Sequence, residues 1–130
     1  MTKILVAEDD PDIRELIALS LRFAGYEVIP AADGQQAVDL AVERKPDLIM
    51  LDIRMPRLTG FEALEQIKQR DEFAQTPVVI LSAKGQESEI QAGLELGAIQ
   101  YILKPFAPDE LVAKIKQLEA SISEPTVETK

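Results

Sequence analysis

The stretch DLIMLDIRMP, Asp47 to Pro56, decides the fold. Leu48, Ile49, Met50 and Leu51 form an unbroken apolar run, too short for an ordinary helix and suited to a strand buried on both faces. Such strands belong to parallel sheets covered by helices on each side. The run does not stop at a turn residue. It passes straight into Asp52, which places a carboxylate at the lip of the core.

Working outward, four more strands are expected. Ile4–Ala7, Val78–Leu81 and Ile99–Leu103 are apolar runs, and Tyr26–Pro30 alternates and ends in proline, as an edge strand can. Helical stripes lie between them: Ile13, Leu16, Ile17 and Leu21 before Gly25; Ala37, Leu40 and Ala41; Phe61, Leu64 and Ile67; Ile90 and Leu94 before Gly97; and Leu111, Ile115, Leu118 and Ile122. The last helix begins with Pro108, Asp109 and Glu110, residues suited to a helix N-terminus. Strict alternation predicts an α/β fold, a five-stranded parallel sheet with five helices on both faces. Residues 1–120 are expected to form one domain, and 121–130 the helix end and a flexible tail containing Pro125.

Composition narrows the chemistry. The chain has 130 residues, 46% of them hydrophobic and 28% charged, a globular balance. A net charge of −9 argues against direct nucleic-acid binding and against attachment to anionic membranes. Cysteine and histidine are both absent, which removes thiolate chemistry and the commonest metal ligand and general base. The first apolar run is too short for a signal peptide or a membrane span, so a cytoplasmic location is expected.

The strand ends carry the chemistry. Glu8, Asp9 and Asp10 come directly after the first strand, Asp52 after the third, Ser82 after the fourth and Lys104 after the fifth. A parallel sheet brings these carboxyl ends to one edge, where ligands bind. Crowded carboxylates raise one another's pKa unless a cation joins them. Oxygen ligands without histidine or cysteine suit Mg²⁺, and lysine and serine suit phosphate oxygens. The set points to a phosphoryl site with Asp52 as the nucleophile, since carboxylates form acyl phosphates.

At these residues the chain resembles the receiver domain of two-component response regulators, the CheY-like family. The resemblance is carried by ILVAEDD (4–10), PDLIMLDIRMPRLTGFEAL (46–64), TPVVILSAK (76–84), GLELGA (93–98) and YILKPF (101–106). It implies a flavodoxin-like (βα)5 fold with strand order 2-1-3-4-5. It implies phosphorylation of Asp52 by a histidine kinase or histidine phosphotransfer protein, with metal ligation by Glu8, Asp9, Asp52 and the main-chain carbonyl of Arg54. Ser82 and Lys104 would hold the phosphoryl group, and Lys104–Pro105 would be cis. Ser82 and Tyr101 would form the switch, and helix 4, strand 5 and helix 5 the face read by a downstream protein. Arg54 and Lys84, each two residues after a site residue, would tune how water reaches the phosphoryl group.

Single residues admit other readings. Asp10 before Pro11 reads best as a helix cap, Asp33–Gly34 as a turn and Thr59–Gly60 as a loop and helix start. Ser82 stands where threonine is commoner in the family. Receivers joined to winged-helix DNA-binding domains often carry acidic residues in the stretch matching Ala98–Ile99–Gln100 and a basic one near Gln91. Here that stretch is uncharged, so a monomer or weak dimer is expected. The chain after residue 120 is too short for an output domain of at least ~50 residues. Output is therefore expected from a docking partner or from a longer protein. A pseudo-receiver that binds partners without phosphorylation is the alternative function. A haloacid-dehalogenase-type phosphatase would want an acid where Arg54 stands. A flavodoxin would want hydroxyls and amides where Glu8, Asp9 and Asp10 stand.

Overall fold

In a computed structural model, which describes residues 2–83 and 86–123, five strands alternate with five α-helices. They are β1 (Lys3–Ala7), α1 (Pro11–Phe23), β2 (Glu27–Ala31), α2 (Gly34–Arg44), β3 (Leu48–Asp52), α3 (Gly60–Lys68), β4 (Val78–Ala83), α4 (Glu87–Glu95), β5 (Gln100–Lys104) and α5 (Pro108–Ser123). All strand pairs are parallel, in the order β2-β1-β3-β4-β5. Sheet order, helix count and strand direction agree with the expectation from sequence. Lys84 and residues 124–130, about which the sequence also raises expectations, lie outside the described residues.

The alternation of side chains along each strand divides the core. Leu5, Ala7, Ile49, Leu51, Val78 and Ile80 face α2 and α3 on one side. Ile4, Val6, Leu48, Met50, Val79 and Leu81 face α1 and α5 on the other. All five residues of β3 are buried, so the central strand is gripped from both faces. Each fully buried Ile, Leu or Met contributes about 2 kcal/mol of transfer free energy. α4 is seated more lightly: Gly93 is its one buried residue, and a Cβ there would lie 2.5 Å from Ile80 Cδ1.

Helix starts obey local chemistry. The Asp12 and Ile13 amides donate to Asp10, with Pro11 opening α1, so Asp10 is a cap as expected. Thr59 and Glu62 form a reciprocal capping box at α3. Asp33 departs from its expected turn: it caps α2, accepting from the Gln36 amide, and Arg57 lies 3.6 Å away.

Four of the five strands reach a residue or two further toward the carboxyl end than expected, while β1 instead begins one residue earlier, at Lys3. β2 runs to Ala31, so Pro30 sits inside the edge strand, exposed, rather than ending it. β4 and β5 extend to Ala83 and Lys104, and β3 includes Asp52. Asp52, Ser82 and Lys104 therefore lie within the last turns of their strands' ladders, held by the sheet instead of standing in loops beyond it. A short 3₁₀ turn at Asp71–Phe73, with Phe73 buried, was not legible in the sequence.

Candidate functional site at the carboxyl edge of the sheet

The carboxyl ends of β1, β3, β4 and β5 enclose a cavity of about 290 Å³. Glu8, Asp9, Asp52, Arg54, Ser82 and Lys104 all line it. Glu8, Asp52 and Ser82 are buried, whereas Asp9 is exposed. Oxygen atoms of Glu8, Asp9 and Asp52 lie within 4.8 Å of one another, a spacing that could hold one metal ion. Lys104 Nζ donates to Glu8 Oε1 at 2.9 Å and to Asp52 Oδ2 at 3.1 Å. Among the described residues, Ser82 Oγ makes one long contact, 3.5 Å to the Ala83 carbonyl.

The electrostatics are unbalanced. Burial pushes the Glu8 carboxyl up to about 7; the Lys104 hydrogen bond opposes this and the Asp52 charge adds to it. Burial pulls the Lys104 ammonium down, but its two carboxylate partners together outweigh that and hold it above its ordinary value. Lys104 thus pairs with two of the three clustered carboxylates, Asp9 has no bond to it, and Glu8 is reluctant to carry its charge. Hard oxygen donors, no nitrogen or sulfur and excess negative charge fit a small divalent cation such as Mg²⁺.

The backbone fixes this constellation. The Glu8 amide donates to the Ala31 carbonyl at 3.1 Å, and Arg14 donates to the Glu8 carbonyl at 2.8 Å. Behind Asp52, the Gly60 amide donates to the Ile53 carbonyl at 2.8 Å. A Cβ on Gly60 would stand 2.2 Å from the Asp52 carbonyl oxygen, so only glycine allows α3 to start this close to β3. The Lys104–Pro105 bond is cis.

Tyr101 is not in this cavity. It is half-buried on β5, packed against the α2/α3 side of the core, and pairs in register with Ile80. Lys114 Nζ lies 5.3 Å from its ring centre and donates to its carbonyl at 3.1 Å. Two residues of this neighbourhood, Arg14 and Glu89, were not singled out from sequence, and Gly60 was read only as a helix start, which it is. Arg14 and Gly60 act through the backbone of site residues. Glu89, in the first turn of α4, lines the cavity and pairs with Arg54 across 35 positions of chain, a contact with no local signal.

A family model described as the response regulator receiver domain matches residues 4–116. The chain belongs to this family. The receiver is 46% identical over 113 residues to the phosphate regulon transcriptional regulatory protein PhoB of Pseudomonas aeruginosa, covering 87% of this chain and 49% of PhoB. It is 39% identical to the DNA-binding dual master transcriptional regulator RpaA of Synechocystis, covering 91% of this chain and 49% of RpaA. The chain thus spans about half the length of the curated relatives it matches. Among solved structures, the chemotaxis protein CheY4 of Vibrio cholerae superimposes with a TM-score of 0.85 at 33% identity, covering 90% of this receiver and 98% of CheY4. This is a receiver of a two-component signalling family, with the CheY-like fold. No helix among the described residues is long and apolar enough to cross a membrane.

Proposed function

We propose that Asp52 is the phosphoacceptor of a two-component phosphorelay, and that its phosphorylation switches a protein-interaction face on α4, β5 and α5. The observation that carries this reading is the position of Lys104 Nζ, at the end of β5, within hydrogen-bond reach of both Glu8 and Asp52, the last residue of the fully buried β3. Glu8, Asp9, Asp52 and the Arg54 carbonyl would hold Mg²⁺. When bound, the ion supplies positive charge against the phosphoryl oxygens and the crowded carboxylates. An Asp52 carboxylate oxygen bonds to phosphorus as the bond from phosphorus to the donor's imidazole nitrogen breaks. Lys104 turns from Asp52 to the incoming oxygens, and the Ser82 hydroxyl, with only one long partner among the described residues, donates to another. Ser82 and Tyr101 lie on neighbouring strands, so movement of the serine gives the tyrosine a reason to turn inward.

The donor is a histidine kinase or histidine phosphotransfer protein, and the reader is a protein. The acidic receiver itself makes no direct nucleic-acid or membrane contact. It acts in the cytoplasm as a monomer or weak dimer, within residues 1–120 followed by the helix end and tail. Its only catalysis is its own phosphorylation and dephosphorylation.

The test is intact mass after incubation with acetyl phosphate and Mg²⁺. One added phosphoryl group is expected, absent with a chelator and absent in Asp52→Asn. Failure to gain mass, together with failure to bind beryllofluoride, would instead identify a pseudo-receiver that works by binding alone.

A further inference from the structure

Arg54 does not point idly into solvent. Its Nη2 donates to Glu89 Oε2 at 2.8 Å and to Gln86 Oε1 at 3.0 Å. This joins the loop after β3 to the start of α4. Arg54 and Glu89 both line the cavity that holds Asp52, and both also line a second cavity of about 390 Å³ toward Met55, Pro56 and Phe61. The bridge is therefore a strap along the partition between two openings. Its anchor is asymmetric: the Glu89 side chain is 25% exposed and that of Arg54 is 69% exposed. The more buried carboxylate sets where the more exposed guanidinium rests. The strap also ties down the start of α4, which otherwise rests on the core through the buried Gly93 and the partly buried Leu94.

We infer that Glu89, with Gln86, is a positioning residue that holds Arg54 across the mouth of the acceptor cavity and so lengthens the life of the phosphorylated state. The inference rests on Asp52 being the acceptor. Loss of the phosphoryl group requires a water oxygen to bond to phosphorus as the bond from phosphorus to the Asp52 oxygen breaks. The carboxylate is regenerated, inorganic phosphate leaves and the water's proton passes to solvent. A guanidinium pinned over the mouth narrows that water's approach. Released from Glu89, it swings into solvent and the approach opens.

The experiment loads the full chain with acetyl phosphate and Mg²⁺, removes the donor by desalting, and tracks decay by intact mass. It compares the unaltered chain, Glu89→Gln, Arg54→Gln and the double variant. Glu89→Gln is expected to shorten the half-life about threefold, the scale set by one exposed charge-assisted bridge. The double variant should decay no faster than Arg54→Gln alone, because Glu89 acts through Arg54. Raised salt should shorten the half-life of the unaltered chain and leave Glu89→Gln nearly unmoved. An unchanged half-life in Glu89→Gln overturns the inference. So does a Glu89 effect of equal size with and without Arg54, which would mark a structural role in α4. If the unaltered chain takes up no phosphoryl group, the acceptor reading fails and the strap's role falls with it, a result distinct from the other two.

Discussion

Two polar clusters sit at opposite ends of the same sheet, and they are built on opposite logics. At the amino ends of the strands, Thr2 and Tyr26 donate their hydroxyls to the Glu119 carboxylate of α5, at 2.5 and 2.8 Å. Lys116 lies over the Tyr26 ring, 5.4 Å from its centre. One charge meets two neutral donors, and those hydrogen bonds hold Glu119 below its ordinary value. At the carboxyl ends, three carboxylates cluster beside one lysine that bonds two of them, and burial pushes Glu8 up to about 7. The first cluster is satisfied as it stands and fastens α5 to the sheet. The second carries more negative charge than its one lysine balances, an arrangement that could hold a metal ion and that fits the proposed phosphoryl chemistry.

The largest effect should come from geometry at the carboxyl edge, not from its charges. Gly60→Ala puts a methyl group 2.2 Å from the Asp52 carbonyl oxygen, so β3 or α3 must shift. A loss of about 3 kcal/mol in urea unfolding is expected. A loss under about 1 kcal/mol would show that α3 can retreat without disturbing the acceptor strand.

Asp52→Asn should have the opposite sign. Without divalent cation it removes one of three crowded carboxylates and should raise stability by about 1 kcal/mol while abolishing phosphoryl uptake. Destabilisation would mean that the Lys104 bridge outweighs the repulsion and that the two clusters are more alike than their geometry indicates.

At the other end, Tyr26→Phe removes a donor to Glu119 from a buried position and should cost about 1 kcal/mol. Phosphoryl uptake should be untouched, and a change in it would couple the two edges.

The smallest effect is a titration. Burial first, then the Glu119 hydrogen bond and charge, push Tyr26 up to about 12 from 10.0. Because the folded value is raised, this contribution to stability is whole below about pH 10 and is lost as pH rises toward 12. The chain has two tyrosines and no tryptophan, so tyrosinate absorbance reads the step directly. Its disappearance in Tyr26→Phe would assign it, and a transition at the ordinary value would break the proposed contact with Glu119.

Much of this was legible in the sequence because the relevant signals are local. Apolar runs of four or five residues mark buried strands, and Asp52, Ser82 and Lys104 stand at their ends whatever the helices between them do. The strand order came from resemblance, not from periodicity. What escaped has a common cause: it depends on residues far apart in the chain. Glu89 meets Arg54, Gly60 backs onto Asp52 and Gly93 seats α4 on Ile80 only once the chain is folded. Asp33–Gly34 misled because a cap and a turn share the same dipeptide. Gly34 opens α2 behind the Asp33 cap, and it is glycine because a Cβ there would lie 2.0 Å from the Leu58 carbonyl oxygen. Phe73 is a lone apolar residue in a polar segment, with no period to reveal that it is buried.

Pro30 has a consequence for how copies of this chain can meet. β2 forms one margin of the sheet, and the proline within it has no amide hydrogen to offer. A sixth strand arriving from another molecule would find a missing donor and a pyrrolidine ring in its path. Polymerisation by strand addition is discouraged along that margin, so a copy joining edge to edge would have to do so at β5, on the far side of the sheet.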